Sequence, residues 1–346
     1  MSGLIVVLLV LCILLQVSAD KWTSGHHAGD TSESKRRQLG ADKKVKKDMS
    51  NGRKAMETWA RSLSGKDYNV TNWKFMFRSK TPQVFFDQYL KAMSDVFAAE
   101  EAHVNFALVG ACDGLADPTI RLRFLPNKHW RAVFVEPMTP NIRDLTSYLT
   151  NKGAIDRSLI IHAACTQTCE EPTLQVERPL YEELNNNKTA AERKDIPHWL
   201  RREIGSIKPK GRTHARPDWV LEEVRCVTAT DVLMDWALSP KFRKSPEKKL
   251  RSVNSKGQTI VRKRRPHVLK IDVEGHDHEV LMSFVNKDTP LMELPLLIQF
   301  EAKSIGEHFP AAKEEMQKVG YVVSDFAADG FAMLKGAKIL EMMGAE

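Results

Sequence analysis

From residue 81 onward, apolar residues recur in two alternating rhythms. Thr81-Pro82 reads as an N-cap followed by proline at the first helical position. Phe85, Phe86, Tyr89, Leu90, Met93, Val96 and Phe97 follow at helical spacing, which predicts one helix with a broad apolar face. Short apolar runs then alternate with helical stretches. Val104 to Val109, Ala132 to Val135, Leu159 to Ala164, Val268 to Ile271 and Leu296 to Phe300 read as strands. Helices are expected after Asp117-Pro118, from Thr139-Pro140 to about Leu149, from Thr228 to Trp236, from about His276 to Val285, and from Pro310 to the closing Gly320. Tyr321 to Phe326 and Phe331 to Leu334 read as a terminal hairpin. Short apolar strands separated by helices predict an α/β fold with a mostly parallel sheet covered by helices on both faces. Two stretches break the rhythm, about 171–225 and 241–265; the first shows no clear core of its own. No internal repeat is visible.

The amino terminus follows a different logic. Leu4 to Val17 is an apolar run broken only at Gln16, shorter than the roughly 20 residues a membrane span needs. Val17-Ser18-Ala19 offers small residues for signal peptidase, with cleavage before Asp20. The expectation is a signal peptide over residues 1–19; the alternative is an uncleaved anchor of a type II membrane protein. A polar, basic linker then runs over 20–66, followed by a helical extension over 67–103 and the main domain over 104–346. Asn69-Val70-Thr71 and Asn187-Lys188-Thr189 are glycosylation acceptors and fit a lumenal route. Without the signal, Cys112, Cys165, Cys169 and Cys226 remain. They permit two disulfides in an oxidising compartment, or four buried thiols. Cys165 and Cys169 have no histidine partner at zinc-finger spacing, so no metal site is expected there.

Charge is unevenly spread. The 346 residues carry a net +8. Residues 35–54 contribute +7 and residues 241–265 contribute +10, so the rest of the chain is net acidic. Both basic segments are poor in apolar residues and read as exposed or disordered. They are either solvated surface or a patch for an anionic partner. In a lumenal protein that partner is an acidic glycan or a lipid headgroup, with no nucleic acid involved.

In such sheets ligands sit beyond the carboxyl ends of the strands, where strand order reverses. Three strand ends carry candidate chemistry. Gly110-Ala111-Cys112-Asp113-Gly114 places glycines where the backbone must turn sharply and approach a ligand, ahead of a helix start that suits a carboxylate or phosphate. Glu136 ends the next strand, 22 residues after Gly114, where an acid accepts hydrogen bonds from the two hydroxyls of a ribose. The pair predicts an adenosine-bearing ligand, and the missing G-x-G-x-x-G pattern leans away from a dinucleotide. Third, Asp272, Glu274 and His276 alternate along Lys270-Ile271-Asp272-Val273-Glu274-Gly275-His276 and fall on one side of an extended chain. They could move a proton or hold a divalent ion; the plainer role for Glu274 and Gly275 is to start the next helix.

These segments resemble the FkbM-type methyltransferases. Asn105 through Gly114 is similar to that family's first motif, Phe134-Val135-Glu136-Pro137 to its second, and Ile161-His162-Ala163-Ala164 to its third strand. Val227 to Leu233, with Thr230-Asp231, is similar to its T-L-D segment. Leu269 through His276, continuing to Glu279-Val280-Leu281, carries the closest likeness, and Ile298-Gln299-Phe300-Glu301 with the terminal hairpin completes the order. The likeness spans about 104–336. Two positions depart from it: Leu108 stands where the family usually has Asp, and Cys112 where it usually has Asn.

The resemblance implies a Rossmann-like seven-stranded methyltransferase sheet, mostly parallel with a terminal antiparallel hairpin. It implies S-adenosylmethionine as cofactor and methyl transfer to a hydroxyl of a sugar or similar small-molecule or glycan acceptor. Gly110, Ala111, Asp113 and Gly114 would bind the cofactor's methionine part and Glu136 its ribose. Asp272 is the expected proton acceptor, then His276, with Glu274 orienting either. Two other readings compete. A Golgi glycosyltransferase would use Asp272 and Glu274 for a metal and a nucleotide sugar. A non-catalytic relative would bind glycan or lipid through its basic segments, a reading motivated by Leu108 and Cys112.

Overall fold

Seven strands form one sheet in the computed structural model of the chain. The structure describes residues 50–63, 82–179, 206–207, 219–242, 251–253, 259–261, 265–273, 275–326 and 328–343, and the account that follows concerns these. The signal segment, both glycosylation acceptors and Glu274 lie outside them, as does the unit Met1–Lys46.

Strands β1 (Val104–Val109), β2 (Trp130–Glu136) and β3 (Ser158–His162) pair in parallel. On the other side of β1 come β10 (Val268–Ile271) and β11 (Leu297–Glu301), also parallel. β12 (Tyr321–Phe326) and β13 (Asp329–Leu334) form the antiparallel hairpin, and β13 pairs with β11. From β1 the chain steps outward to β2 and β3, then crosses back to β10 and steps the other way. Right-handed crossovers on opposite headings put helices on both faces and leave the reversal between β1 and β10.

The helices follow from their periodicity. In α2 (Pro82–Ala99), Phe86, Leu90, Met93 and Phe97 form one buried stripe. A helix over 50–63, α1, lies inside the stretch read from the sequence as a flexible linker. It buries Ala55, Trp59, Ala60 and Leu63, and the Trp59 ring meets Tyr89 of α2 edge-on at 6.5 Å. This helix overlaps the end of the basic run 35–54, and the small apolar set beside it is enough to bury a face. α3 (Thr139–Asn151) follows β2, α4 (Ala229–Leu238) precedes β10, and α5 (Asp277–Phe284) follows it. α4 starts at a full capping box, with Thr228 and Asp231 satisfying each other's backbone N–H. α6 (Phe309–Val319) ends at left-handed Gly320. A last helix, α7 (Gly336–Met343), had no expectation in the sequence.

The stretch 171–225 is not coreless. β5 (Thr173–Pro179) and β7 (Trp219–Val227) pair antiparallel along their length. With β4 (Ala164–Cys165) and β6 (Ser206–Ile207) they make a second sheet, ordered β4-β7-β5-β6. Among the described residues its core is small, with Met138, Ala164, Val176 and Val224 buried and Leu174 packed against them. The two partners lie some 40 residues apart, so their pairing is invisible to local periodicity. Cys169 and Cys226 join in a disulfide across this sheet. Among the described residues one bridge forms, not two: Cys112 and Cys165 are outside it, and burial pushes the Cys165 thiol up to about 12. In 241–265, read as exposed or disordered, β8 (Arg251–Val253) and β9 (Thr259–Val261) form a two-stranded ribbon, and Arg265 is buried.

Candidate functional site

The reversal between β1 and β10 brings the expected residues to one rim. Leu108 stands in register with Lys270 and Val109 with Ile271, so the loop after β1 emerges beside Asp272. The Asp272 N–H donates to the Val109 carbonyl at 2.9 Å. Gly110 adopts φ +80°, and a Cβ placed on it would lie 1.7 Å from the Asp272 carbonyl oxygen. Only glycine permits this approach. Gly114, at φ +72°, faces the other way, and a Cβ there would lie 2.6 Å from Leu145 Cδ1 of α3. The loop is thus pressed between the end of β10 and α3. Cys112 lies between these glycines at φ 49°, a left-handed conformation that is costly for an L-residue. Asp113 is buried and turned into its own loop, where Oδ1 accepts the Leu115 N–H at 2.9 Å.

Glu136 ends β2 as expected, and it is almost fully buried. Its Oε2 accepts the Cys112 N–H at 2.8 Å; its Oε1 accepts the Met138 N–H at 3.0 Å and Asn141 Nδ2 at 3.1 Å. The carboxylate therefore ties the loop after β1 to the start of α3. A carboxylate oxygen has two acceptor positions, so Oε2 keeps one for a ligand hydroxyl while Oε1 is filled. Burial pushes the Glu136 carboxyl up to about 7, against the three donors that favour its charge, with Glu222 adding a further push upward.

Glu222 belongs to the second sheet and was missed by the sequence reading. Its Oε1 accepts both the N–H and the hydroxyl of Thr139, at the start of α3, and its Oε2 accepts Arg178 Nε at 2.9 Å. His162, in register with Glu136, places Nε2 2.8 Å from the Pro137 carbonyl. The second sheet thus braces the turn that carries Glu136. No spacing rule connects Glu222 to Thr139 across 83 residues.

At the end of β10, Asp272 is exposed, and His276 stands half-buried at the N-cap of α5 without a side-chain cap bond. Glu274, between them, lies outside the described residues. Asp277 follows in the first turn of α5, fully buried. Its Oδ1 accepts the Glu301 N–H at 3.3 Å, and its Oδ2 has no hydrogen-bond partner among the described residues. Burial pushes its carboxyl up to about 6, helped by the negative charges of Asp272 and Glu301. Its position next to a motif histidine gave no sign of this, because burial is a tertiary property. The same is true of Lys270, a lysine inside a buried strand. Its Nζ meets Asp117 Oδ2 at 2.5 Å. Burial alone would lower the Lys270 ammonium, but Asp117, with Asp272 and Asp329 behind it, raises it above the usual lysine range.

The loop after β1 thus runs between the buried acid Glu136 and the exposed acid Asp272, at the point where strand order reverses. Among the described residues, no group of three or more acidic, histidine or cysteine side chains is placed to hold a metal ion.

A family model described as the methyltransferase FkbM domain matches residues 109–323. Among solved structures, the methyltransferase FkbM from Methylobacillus flagellatus KT is similar at 10% identity, with 67% of this chain and 43% of that one covered and a TM-score of 0.35. The chain thus spans less than half of that protein's length. The Methanococcus jannaschii fibrillarin pre-rRNA processing protein is similar at 10% identity, with 68% and 67% covered and a TM-score of 0.29. No curated protein matches the chain.

Proposed function

The chain belongs to the FkbM methyltransferase family, and from that premise we propose that it uses S-adenosylmethionine to methylate a hydroxyl of a sugar or similar acceptor in the secretory pathway. The observation that carries this reading is the approach of Gly110 to the Asp272 carbonyl, which sets a ligand-binding loop against an exposed carboxylate at the point of strand reversal. The residues fit the cofactor. Gly110, Ala111 and Gly114 form the loop for the methionine part, and Glu136 keeps one acceptor position for the ribose. When bound, S-adenosylmethionine supplies an electrophilic methyl group. Asp272 takes the proton of the acceptor hydroxyl, with His276 as the next candidate and Glu274 orienting either. The disulfide between Cys169 and Cys226 favours an oxidising compartment. Calorimetric titration with S-adenosylhomocysteine tests the reading directly, and absence of binding to the folded protein overturns it. Family membership removes the basis for the nucleotide-sugar transferase reading. A non-catalytic relative keeps one specific point in its favour: protein donors already occupy three positions of Glu136. It predicts no cofactor affinity, so the same titration decides it. The basic segments 35–54 and 241–265 would then serve, in either case, an acidic glycan or lipid partner.

Two expected results follow from the site. Affinity for S-adenosylhomocysteine should rise about tenfold between pH 6 and 8, because the ionised Glu136 is the form that accepts a hydroxyl, and burial holds it near 7. Glu136→Gln should flatten the profile and bind about 5- to 150-fold more weakly. An unchanged profile in the variant shows that Glu136 does not hold the ribose. Asp272→Asn keeps the shape and removes the basicity. Turnover on any acceptor the wild type methylates should fall roughly 100-fold with cofactor affinity near normal. If affinity collapses instead, Asp272 holds the cofactor and the base lies elsewhere.

A further inference from the structure

We propose that the buried Lys270–Asp117 ion pair is a latch that fixes the loop 110–119 over the end of β10, which makes both residues positioning residues for cofactor binding. The loop's near end is fixed by backbone. The Gly110 N–H donates to the Val135 carbonyl at 2.9 Å, and Asp272 holds Val109. Its far end reaches β10 through Asp117. One oxygen of that carboxylate accepts the Ile120 N–H at 2.7 Å, which sets the start of the π-helical turn Ile120–Phe124, and the other meets Lys270. Both side chains of the pair are only 10% exposed. Lys270 lies in β10 two residues before Asp272, which follows the last residue of that strand, Ile271. The tie therefore runs from the loop to the segment that carries the proposed base.

Burying such a pair gives little net stability, since desolvation offsets most of the attraction. Replacing both partners with uncharged groups is often neutral, whereas removing one leaves an uncompensated charge. A pair retained here is better explained by the position it specifies. The register offers a way to separate the two roles. Leu108 stands opposite Lys270 on β1, outside the loop. A carboxylate introduced there can neutralise the ammonium without holding Asp117's end of the loop.

The proposal rests on the cofactor reading for its functional consequence, so the experiment has two independent readouts. Hydrogen–deuterium exchange of peptides within 110–124 is followed without ligand, and S-adenosylhomocysteine affinity is measured by calorimetry. The double variant Lys270→Met/Asp117→Asn, which leaves no buried charge unpaired, should melt close to the wild type. Its loop should exchange at least tenfold faster and its affinity should fall at least tenfold. Asp117→Asn/Leu108→Asp should recover the melting temperature lost in Asp117→Asn but neither protection nor affinity. If that variant restores all three, the pair is charge compensation alone and the latch is overturned. Unchanged loop exchange in Lys270→Met/Asp117→Asn also overturns it. If the wild type binds no S-adenosylhomocysteine while the exchange results hold, the cofactor reading falls and the latch stands.

Discussion

Gly110→Ala is expected to disable the loop and to lower stability by about 3–5 kcal/mol. Two costs combine. A left-handed conformation costs an L-residue roughly 1–2 kcal/mol. The new methyl would lie 1.7 Å from the Asp272 carbonyl oxygen, far inside any non-bonded contact. No side-chain rotation relieves this overlap, because the obstructing atom is backbone. Either β1 and β10 part at their ends or the loop swings away, and overpacking of this kind costs about 1–3 kcal/mol or more. At roughly 2–4 °C per kcal/mol for a domain of this size, the melting temperature should fall by about 10 °C. Affinity for S-adenosylhomocysteine should be lost in whatever fraction stays folded. Gly114→Ala is the informative companion. Its clash is with the flexible end of Leu145, which can move, so it should cost less. A Gly110→Ala protein with wild-type melting and affinity would show that the loop does not meet β10 as described.

Removing the disulfide should have an effect of similar size. Cys169 and Cys226 close a loop with a sequence separation of 57. Chain entropy then assigns the bridge about 4 kcal/mol, as a model-dependent upper figure. Among the described residues the apolar core of the second sheet is small, with Met138, Ala164, Val176 and Val224 buried, so the bridge carries weight there. Cys226→Ser should therefore shift the denaturant midpoint markedly, and reductant should destabilise the wild type but not the variant. The consequence should reach the proposed cofactor site. Glu222 braces Thr139, three residues after Glu136, so a loosened sheet should weaken S-adenosylhomocysteine binding several-fold even where the main sheet persists. If the midpoint moves and the affinity does not, the second sheet is independent of the ribose site. If neither moves, the bridge closes a segment that is already ordered by other contacts.

Strand ends were the legible part of the site. Gly110, Glu136 and Asp272 could be placed because a parallel sheet puts its ligand residues where apolar runs stop, and each stops at a residue of distinctive chemistry. The structure brings the glycine loop to both acids, as the order of the motifs implied. Asp113, also expected at the cofactor, is buried and accepts the Leu115 N–H within its own loop, a local bond that the sequence did not announce. Glu222, Asp277 and Asp117 were not legible as site residues, since each depends on a partner distant in the chain or on burial.

The sequence by itself determined the alternation of strand and helix from Val104 to Leu334, and with it a parallel sheet closed by a hairpin. Both rest on local periodicity and on capping residues, which act within a few positions of the chain. Tertiary structure alone decided that the basic region near residue 55 holds a packed helix and that Thr173–Pro179 finds Trp219–Val227. It also decided that Cys169 joins Cys226, and that a buried lysine in β10 meets Asp117. Each of these depends on which surfaces meet after the chain has turned back on itself. Burial and long-range pairing change the energy of a residue without leaving a mark on its neighbours in sequence.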